Sequence, residues 1–177
     1  MGQAFGALIS LIFAINHPAI PGIIASSPLL KFSKNLSLSK RLGKKIAGPI
    51  SKISPNKTID MIIEQNILTS DIKILRKHIS DDKKIEKISL RSAAEMERSM
   101  KWAMENATNL LCPTLVLQAG KDKMVDKEAA KEFFDNIKTK DKTYREYDGL
   151  LHELWNEKSR AQVFQDMFIW LEKHQKN

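Results

Sequence analysis

Ala7-Leu8-Ile9-Ser10-Leu11-Ile12-Phe13-Ala14-Ile15 is an almost wholly apolar run near the amino end. It predicts a buried helix that expects sheet on its faces. With only three recognisable strands much of that cover is absent, so exposed apolar surface is expected. Asn16-His17-Pro18 stops the helix. Ile20 to Ala25 reads as a short buried strand with Pro21 at its entrance, closed by the loop signal Ser26-Ser27-Pro28. From Lys31 to Thr108 the periodicity is helical and strand signals are poor. Leu36 to Ile53 is basic and amphipathic, interrupted by Gly43, Gly48 and Pro49. Thr58 to Gln65 and Asp71 to His78 carry helical spacing. Leu90 to Asn106 carries it most clearly, with Ala93, Met96, Met100 and Ala103 on one face. Strand signals return at Thr114 to Gln118 and at Thr143 to Tyr147. Between them lies a helix that Asp126 can cap and that runs to Ile137, with Phe133 and Phe134 on its buried side. A final amphipathic helix runs from Ser159 to Lys173 on the stripe Val163, Phe164, Met167, Phe168 and Leu171. Strands alternating with helices predict an α/β fold, a mostly parallel sheet flanked by helices. Its core is residues 1–30 and 109–177, and 31–108 form a helical insertion.

Composition adds bounds. The 177 residues suffice for one domain with a true core, and 42% hydrophobic with 28% charged is ordinary for a soluble globular protein. The single cysteine, Cys112, excludes an internal disulfide and offers no metal-ligand cluster. It reads as a small apolar residue at a strand entrance, and a reducing, cytoplasmic compartment is the default. No stretch reaches the roughly 18 apolar residues of a membrane span. The run from Ala7 to Ile15 lacks the basic segment before it and the cleavage site after it that a signal peptide carries.

The net charge of +8 is unevenly placed. No Asp or Glu precedes Asp60, whereas Lys31, Lys34, Lys40, Arg41, Lys44, Lys45, Lys52 and Lys57 do. The other 21 basic residues balance the 21 acidic ones, so the whole excess lies in one early segment. That segment reads as a solvated face, or as a contact with an anionic membrane surface through Lys31 to Lys57. No nucleic-acid motif accompanies the charge, and nucleic acid is not expected as a partner.

The candidate chemistry begins at Gly2-Gln3-Ala4-Phe5-Gly6, which has the spacing of a Gly-x-Ser-x-Gly nucleophile elbow with alanine at the serine position. Such an elbow is a sharp strand-to-helix bend, and its flanking glycines leave room where side chains would collide. Asp122 lies just beyond the strand Thr114 to Gln118, and His152 just beyond the strand Thr143 to Tyr147. Catalytic groups of open α/β sheets gather at the carboxyl ends of strands. The chain order nucleophile, acid, histidine belongs to α/β-hydrolases. Taken singly, Asp122 reads as a cap and His152 as a surface residue, as do His17, His78 and His174. The three positions in order, each at a strand end, carry the argument.

With those motifs on the page, the whole chain resembles the monoacylglycerol lipase and lysophospholipase branch of the α/β-hydrolases. Residues Gly2 to Ile9 resemble its elbow and following helix, and Ile23 to Pro28 its next strand. Leu68-Thr69-Ser70-Asp71 resembles a motif of its lid. Pro113 to Asp122 resembles the strand carrying the acid, and Tyr147-Asp148-Gly149-Leu150-Leu151-His152-Glu153 the histidine loop. The resemblance implies a lid at 31–108 and a glycerolipid ester or lysophospholipid substrate. It implies a triad of position 4, Asp122 and His152, with the Phe5 N–H helping to hold the oxyanion and no metal or organic cofactor. Leu29, Leu30, Phe32, Ile46 and Ile50 would accept an acyl chain or simply pack the lid. Two departures stand out. Ala4 carries no hydroxyl, so the chain is expected to be inactive as it stands, or to be a non-catalytic relative that binds a lipid or a partner. The strands that precede the elbow in the family are not present either. The expectation is therefore a C-terminal portion of a longer protein, with Met1 an internal methionine.

Overall fold

The computed structural model of the chain describes residues 1–34, 36, 53–61, 63–82 and 86–175. Four parallel strands, numbered in chain order, make the central sheet: β1 (Gly2–Gln3), β2 (Ile23–Ser26), β5 (Thr114–Ala119) and β6 (Lys142–Tyr147). Their spatial order is β1-β2-β5-β6. Ala25 pairs with Gly2 on one side and Val116 on the other, and Ala119 with Tyr147. Every residue of β2 and β5 is buried, as a strand covered on both faces requires. Parallel strands need crossovers, and helices supply them. α1 (Phe5–Asn16) follows β1, and α4 (Lys127–Asn136) follows β5 under an Asp126 cap whose carboxylate accepts from the Glu128 N–H at 3.1 Å. α5 (Arg160–Gln175) ends the described chain. This topology brings the carboxyl ends of all four strands to one edge of the sheet.

Two cores flank it. On one face Leu8, Leu11 and Ala14 of α1 meet Leu29, Leu30, Leu110, Cys112 and Phe133. On the other, Leu115, Leu117 and Tyr147 meet Leu154, Val163, Met167 and Trp170.

Between β2 and β5 lies the insertion. Its described part holds β3 (Thr58–Asp60), α2 (Ile72–Ile79), β4 (Lys87–Ser89) and α3 (Leu90–Glu105). α2 starts at Asp71, whose side chain accepts from the Lys73 N–H, and α3 at Ser89, which accepts from the Ser92 N–H. The expectation of a helix at Thr58 to Gln65 is corrected: β3 and β4 form an antiparallel ribbon, with Ile59 opposite Ile88. Both isoleucines pack on Leu90, Ala93 and Ala94. A short run of β-branched residues satisfies either period, and cross-strand packing decided for the strand. The expected stretch from Leu36 to Ile53, with Lys40, Arg41, Lys44, Lys45, Ile46, Ile50 and Lys52, lies outside the described residues except at its two ends.

α1 leaves apolar surface exposed, as expected, and one further expectation, the facing of α5, changes. α1 is buried on one side only, through Ala7, Leu8, Leu11, Ala14 and Ile15, while Phe5, Ile9 and Phe13 are exposed. The inward stripe of α5 is Val163, Met167 and Trp170, whereas Phe164 and Phe168 face solvent. Trp170 sets that rotation by filling the second core.

Candidate functional site

The bend after β1 holds an unusual backbone. Ala4 has φ 50° and ψ −116°, a left-handed region that a side chain rarely enters. It is locked from three sides. Its N–H donates to the Ser26 carbonyl at 2.9 Å, and its carbonyl accepts from the Leu8 and Leu29 N–H groups, each at 3.1 Å. The close approach makes Gly2 obligatory, because a Cβ there would stand 2.4 Å from the Gly6 carbonyl oxygen. The expectation for Gly6 is corrected: a Cβ there meets nothing within 4 Å, so crowding of the bend comes from one side only. Ser27, at the next strand end, is a second left-handed non-glycine, with φ 40°. Its hydroxyl and that of Ser26 are buried without a partner among the described residues. Strain concentrated at one place is a mark of function.

Asp122 is positioned by the end of β5. Gly120 passes so close to β6 that a Cβ would lie 2.9 Å from the Tyr147 carbonyl oxygen, and its N–H donates to that oxygen. The loop then turns so that Asp122 Oδ1 accepts from the Met124 and Val125 N–H groups, each at 2.9 Å. Oδ2 accepts from Gln118 Nε2 at 3.3 Å and lies 2.9 Å from His152 Nδ1. The two side chains are 0% and 2% exposed. A carboxylate only accepts, so Nδ1 carries the proton and Nε2 is the basic nitrogen. Nε2 is buried and has no hydrogen-bond partner among the described residues. The structure thus joins Asp122 and His152, which lie 30 residues apart in sequence. It sets them at the same edge of the sheet as the Ala4 bend. A base held in one tautomer, its free nitrogen out of water, can take a proton from a hydroxyl placed beside it.

The other expected residues are distributed around this pair. Phe5 is the first residue of α1, where N–H groups have no intrahelical acceptor. Leu29 and Leu30 are packed in the main core, and Phe32 is half-buried where that core meets Leu36, Ile67 and Leu68. Phe32 also bridges to Val125, the Asp126 N–H donates to the Lys31 carbonyl at 2.9 Å, and Lys31 Nζ pairs with Asp126 at 3.3 Å. The start of the insertion is therefore fastened to the Asp122 loop. Cys112 is buried and free at the entrance of β5, and burial pushes its thiol up. Among the described residues no group of three or more His, Cys, Asp or Glu side chains is arranged to hold a metal ion. Among them, too, no helix is long and apolar enough to cross a membrane.

Two histidines read as surface residues have partners in the fold. His78 Nε2 pairs with Glu153 at 2.9 Å. His174 stacks on Trp170 and pairs with Asp141 at 3.0 Å, which holds the Asp141 carboxyl below its ordinary value. His17 is exposed and stacks on Phe13. Sequence reasoning also missed Gln118 and Glu157. A glutamine inside the apolar run Leu115-Val116-Leu117-Gln118-Ala119 was the available signal for the first. The second had none, since its partners are remote in sequence.

The sequence pattern of the family described as "Serine aminopeptidase, S33" matches residues 1–159. Phospholipase YtpA of Bacillus subtilis is 33% identical over 171 residues, covering 93% of this chain and 63% of that protein. The monoglyceride lipase of Homo sapiens is 27% identical over 186 residues, covering 97% of this chain and 57% of its own length. The chain thus spans less than two thirds of these relatives. Among solved structures, the monoacylglycerol lipase of Paleococcus ferrophilus superposes with a TM-score of 0.87 at 26% identity, over 98% of this chain and 67% of that one.

Proposed function

Since this chain belongs to the serine aminopeptidase S33 family of α/β-hydrolases, we propose that it is a carboxylic ester hydrolase scaffold for monoacylglycerols or lysophospholipids, halted at its first chemical step by Ala4. It would correspond to the C-terminal portion of the family fold, with residues 1–30 and 109–177 as core and 31–108 as lid. The observation that carries the reading is the buried Asp122–His152 pair with its unpartnered Nε2.

With a hydroxyl at position 4, His152 Nε2 takes its proton as the oxygen attacks the ester carbonyl, and later protonates the leaving glycerol oxygen. Asp122 holds the tautomer and stabilises the imidazolium. The Phe5 N–H, one residue past the attacking position, donates to the oxyanion. Phe32 and the insertion would meet the acyl chain, and the lysines between Lys31 and Lys57 an anionic interface. Relatives named as a phospholipase and as monoglyceride lipases support the substrate class.

Ala4 itself favours a second reading, a non-catalytic relative that holds a lipid or a partner at the same site. Ala4→Ser separates the two. On the first reading it hydrolyses monoacylglycerol or lysophospholipid, and adding His152→Ala lowers the rate by about 10³-fold or more. A folded Ala4→Ser chain with no hydrolysis leaves only the second.

A further inference from the structure

Glu157 is 1% exposed, yet no Lys, Arg or His among the described residues pairs with its carboxylate. The partners of the carboxylate are neutral, while the Arg160 guanidinium donates to the Glu157 backbone carbonyl at 3.1 Å. Oε1 accepts from the Ser70 N–H at 3.0 Å and the Leu151 N–H at 3.1 Å, and Oε2 accepts from the Ser70 hydroxyl at 2.5 Å. A buried carboxylate is costly unless such bonds satisfy it, so its placement calls for a reason. Ser70 belongs to the insertion, 87 residues away in sequence. Leu151 immediately precedes His152. On the other side of the histidine, the Glu153 N–H donates to the Leu68 carbonyl at 2.8 Å. Thr69 adds a third tie, its hydroxyl donating to the Asn156 carbonyl at 2.8 Å. Three consecutive insertion residues therefore grip the chain after His152, Leu68 at Glu153, Thr69 at Asn156 and Ser70 at Glu157. Among the described residues Glu157 alone carries that grip to Leu151 before it.

We propose that Glu157 is a positioning residue: it transmits the seating of the insertion to the main chain at Leu151 and so fixes where His152 Nε2 points. Two separate parts of the insertion then hold the two halves of the pair. Residues 31–33 brace the Asp122 loop, and residues 68–70 brace the His152 loop through Glu157. This inference rests on the hydrolase reading for its kinetic consequence, but the imidazole geometry can be measured without it.

The test uses the chain as it stands, with Glu157→Gln, Ser70→Ala and Thr69→Val. Glu157→Gln keeps the side-chain shape but puts an N–H where one acceptor was, and Ser70 is exposed, so its truncation leaves the core intact. Proton NMR follows the His152 Nδ1–H that is bonded to Asp122, a downfield and slowly exchanging signal. Glu157→Gln and Ser70→Ala should broaden or abolish that signal while thermal unfolding stays cooperative. In the Ala4→Ser background, Glu157→Gln should lower kcat by about 10²-fold and leave KM within about twofold. If the signal and kcat match the parent in both variants, whatever the melting midpoint, Glu157 is a structural clamp only and the proposal is overturned. If Glu157→Gln does not fold, Ser70→Ala and Thr69→Val decide by the same signal. If Ala4→Ser proves inactive, the hydrolase reading falls while the NMR result still decides this one.

Discussion

At the scale of single residues, Ala4 is the point of tension. It occupies a backbone region where a Cβ is strained, at a cost of about 1–3 kcal/mol. Glycine relieves that strain but gives back about 0.5–1 kcal/mol in chain entropy. Ala4→Gly should therefore stabilise the fold by up to about 2.5 kcal/mol net, read as a rise in the denaturation midpoint. A lowered midpoint would mean that the bend is not strained. On the proposed reading, an alanine that keeps the strained bend and lacks the hydroxyl leaves Nε2 of His152 without a group to deprotonate. Asp122 and His152 were legible as candidates because each follows a strand signal, in the right order along the chain. Their bond, and the cradle of Met124 and Val125 N–H groups around Asp122, were not, because they depend on loop geometry. Glu157 was invisible for a simpler reason: nothing local distinguishes it from a surface glutamate.

At the scale of elements, β2, β5, β6 and α4 follow the chain's strand and helix signals closely, whereas β1 is only two residues long and carries no period of its own. The ribbon of β3 and β4 was missed because three residues per strand carry too little period, and its register is fixed by packing on α3. The facing of α5 was misjudged for a related reason. A stripe of Phe164 and Phe168 competes with one through Trp170, and only the shape of the second core chooses. α5 is fastened to β6 by the Tyr147 hydroxyl, which donates to Asp166 at 2.8 Å. Burial, then Asp166, pushes that phenol well above its ordinary value. A raised folded value means that stability is intact below the unfolded value, about pH 10, and is lost as pH rises through the folded one. The unfolding midpoint should thus fall above about pH 10, and Tyr147→Phe should flatten part of that decline. An identical alkaline profile in the variant would show that the hydroxyl is not held neutral by the fold. Tyr144 is raised by burial in the same way, so the flattening is partial.

At the scale of the whole molecule, the sheet ends at β1, which among the described residues pairs only with β2. Beside that edge α1 turns Phe5, Ile9 and Phe13 outward, 42%, 53% and 51% exposed and spaced four apart on one helix face. A contiguous apolar face of this kind marks a contact site or an aggregation hazard. The purified chain should bind a hydrophobic dye in its folded state, and Ile9→Ser with Phe13→Ser should reduce that binding without lowering the melting midpoint. A folded chain that binds no dye would contradict this. The apolar run announced the helix in the sequence, but which side would be covered depended on the rest of the sheet. The central claim remains spatial: a carboxylate-held imidazole faces the bend at position 4. Intact-mass measurement of the Ala4→Ser chain after fluorophosphonate treatment tests it most directly. The account predicts one phosphonate, mapped to position 4 and abolished by adding His152→Ala. A folded chain left unlabelled, or labelled equally without His152, would contradict it.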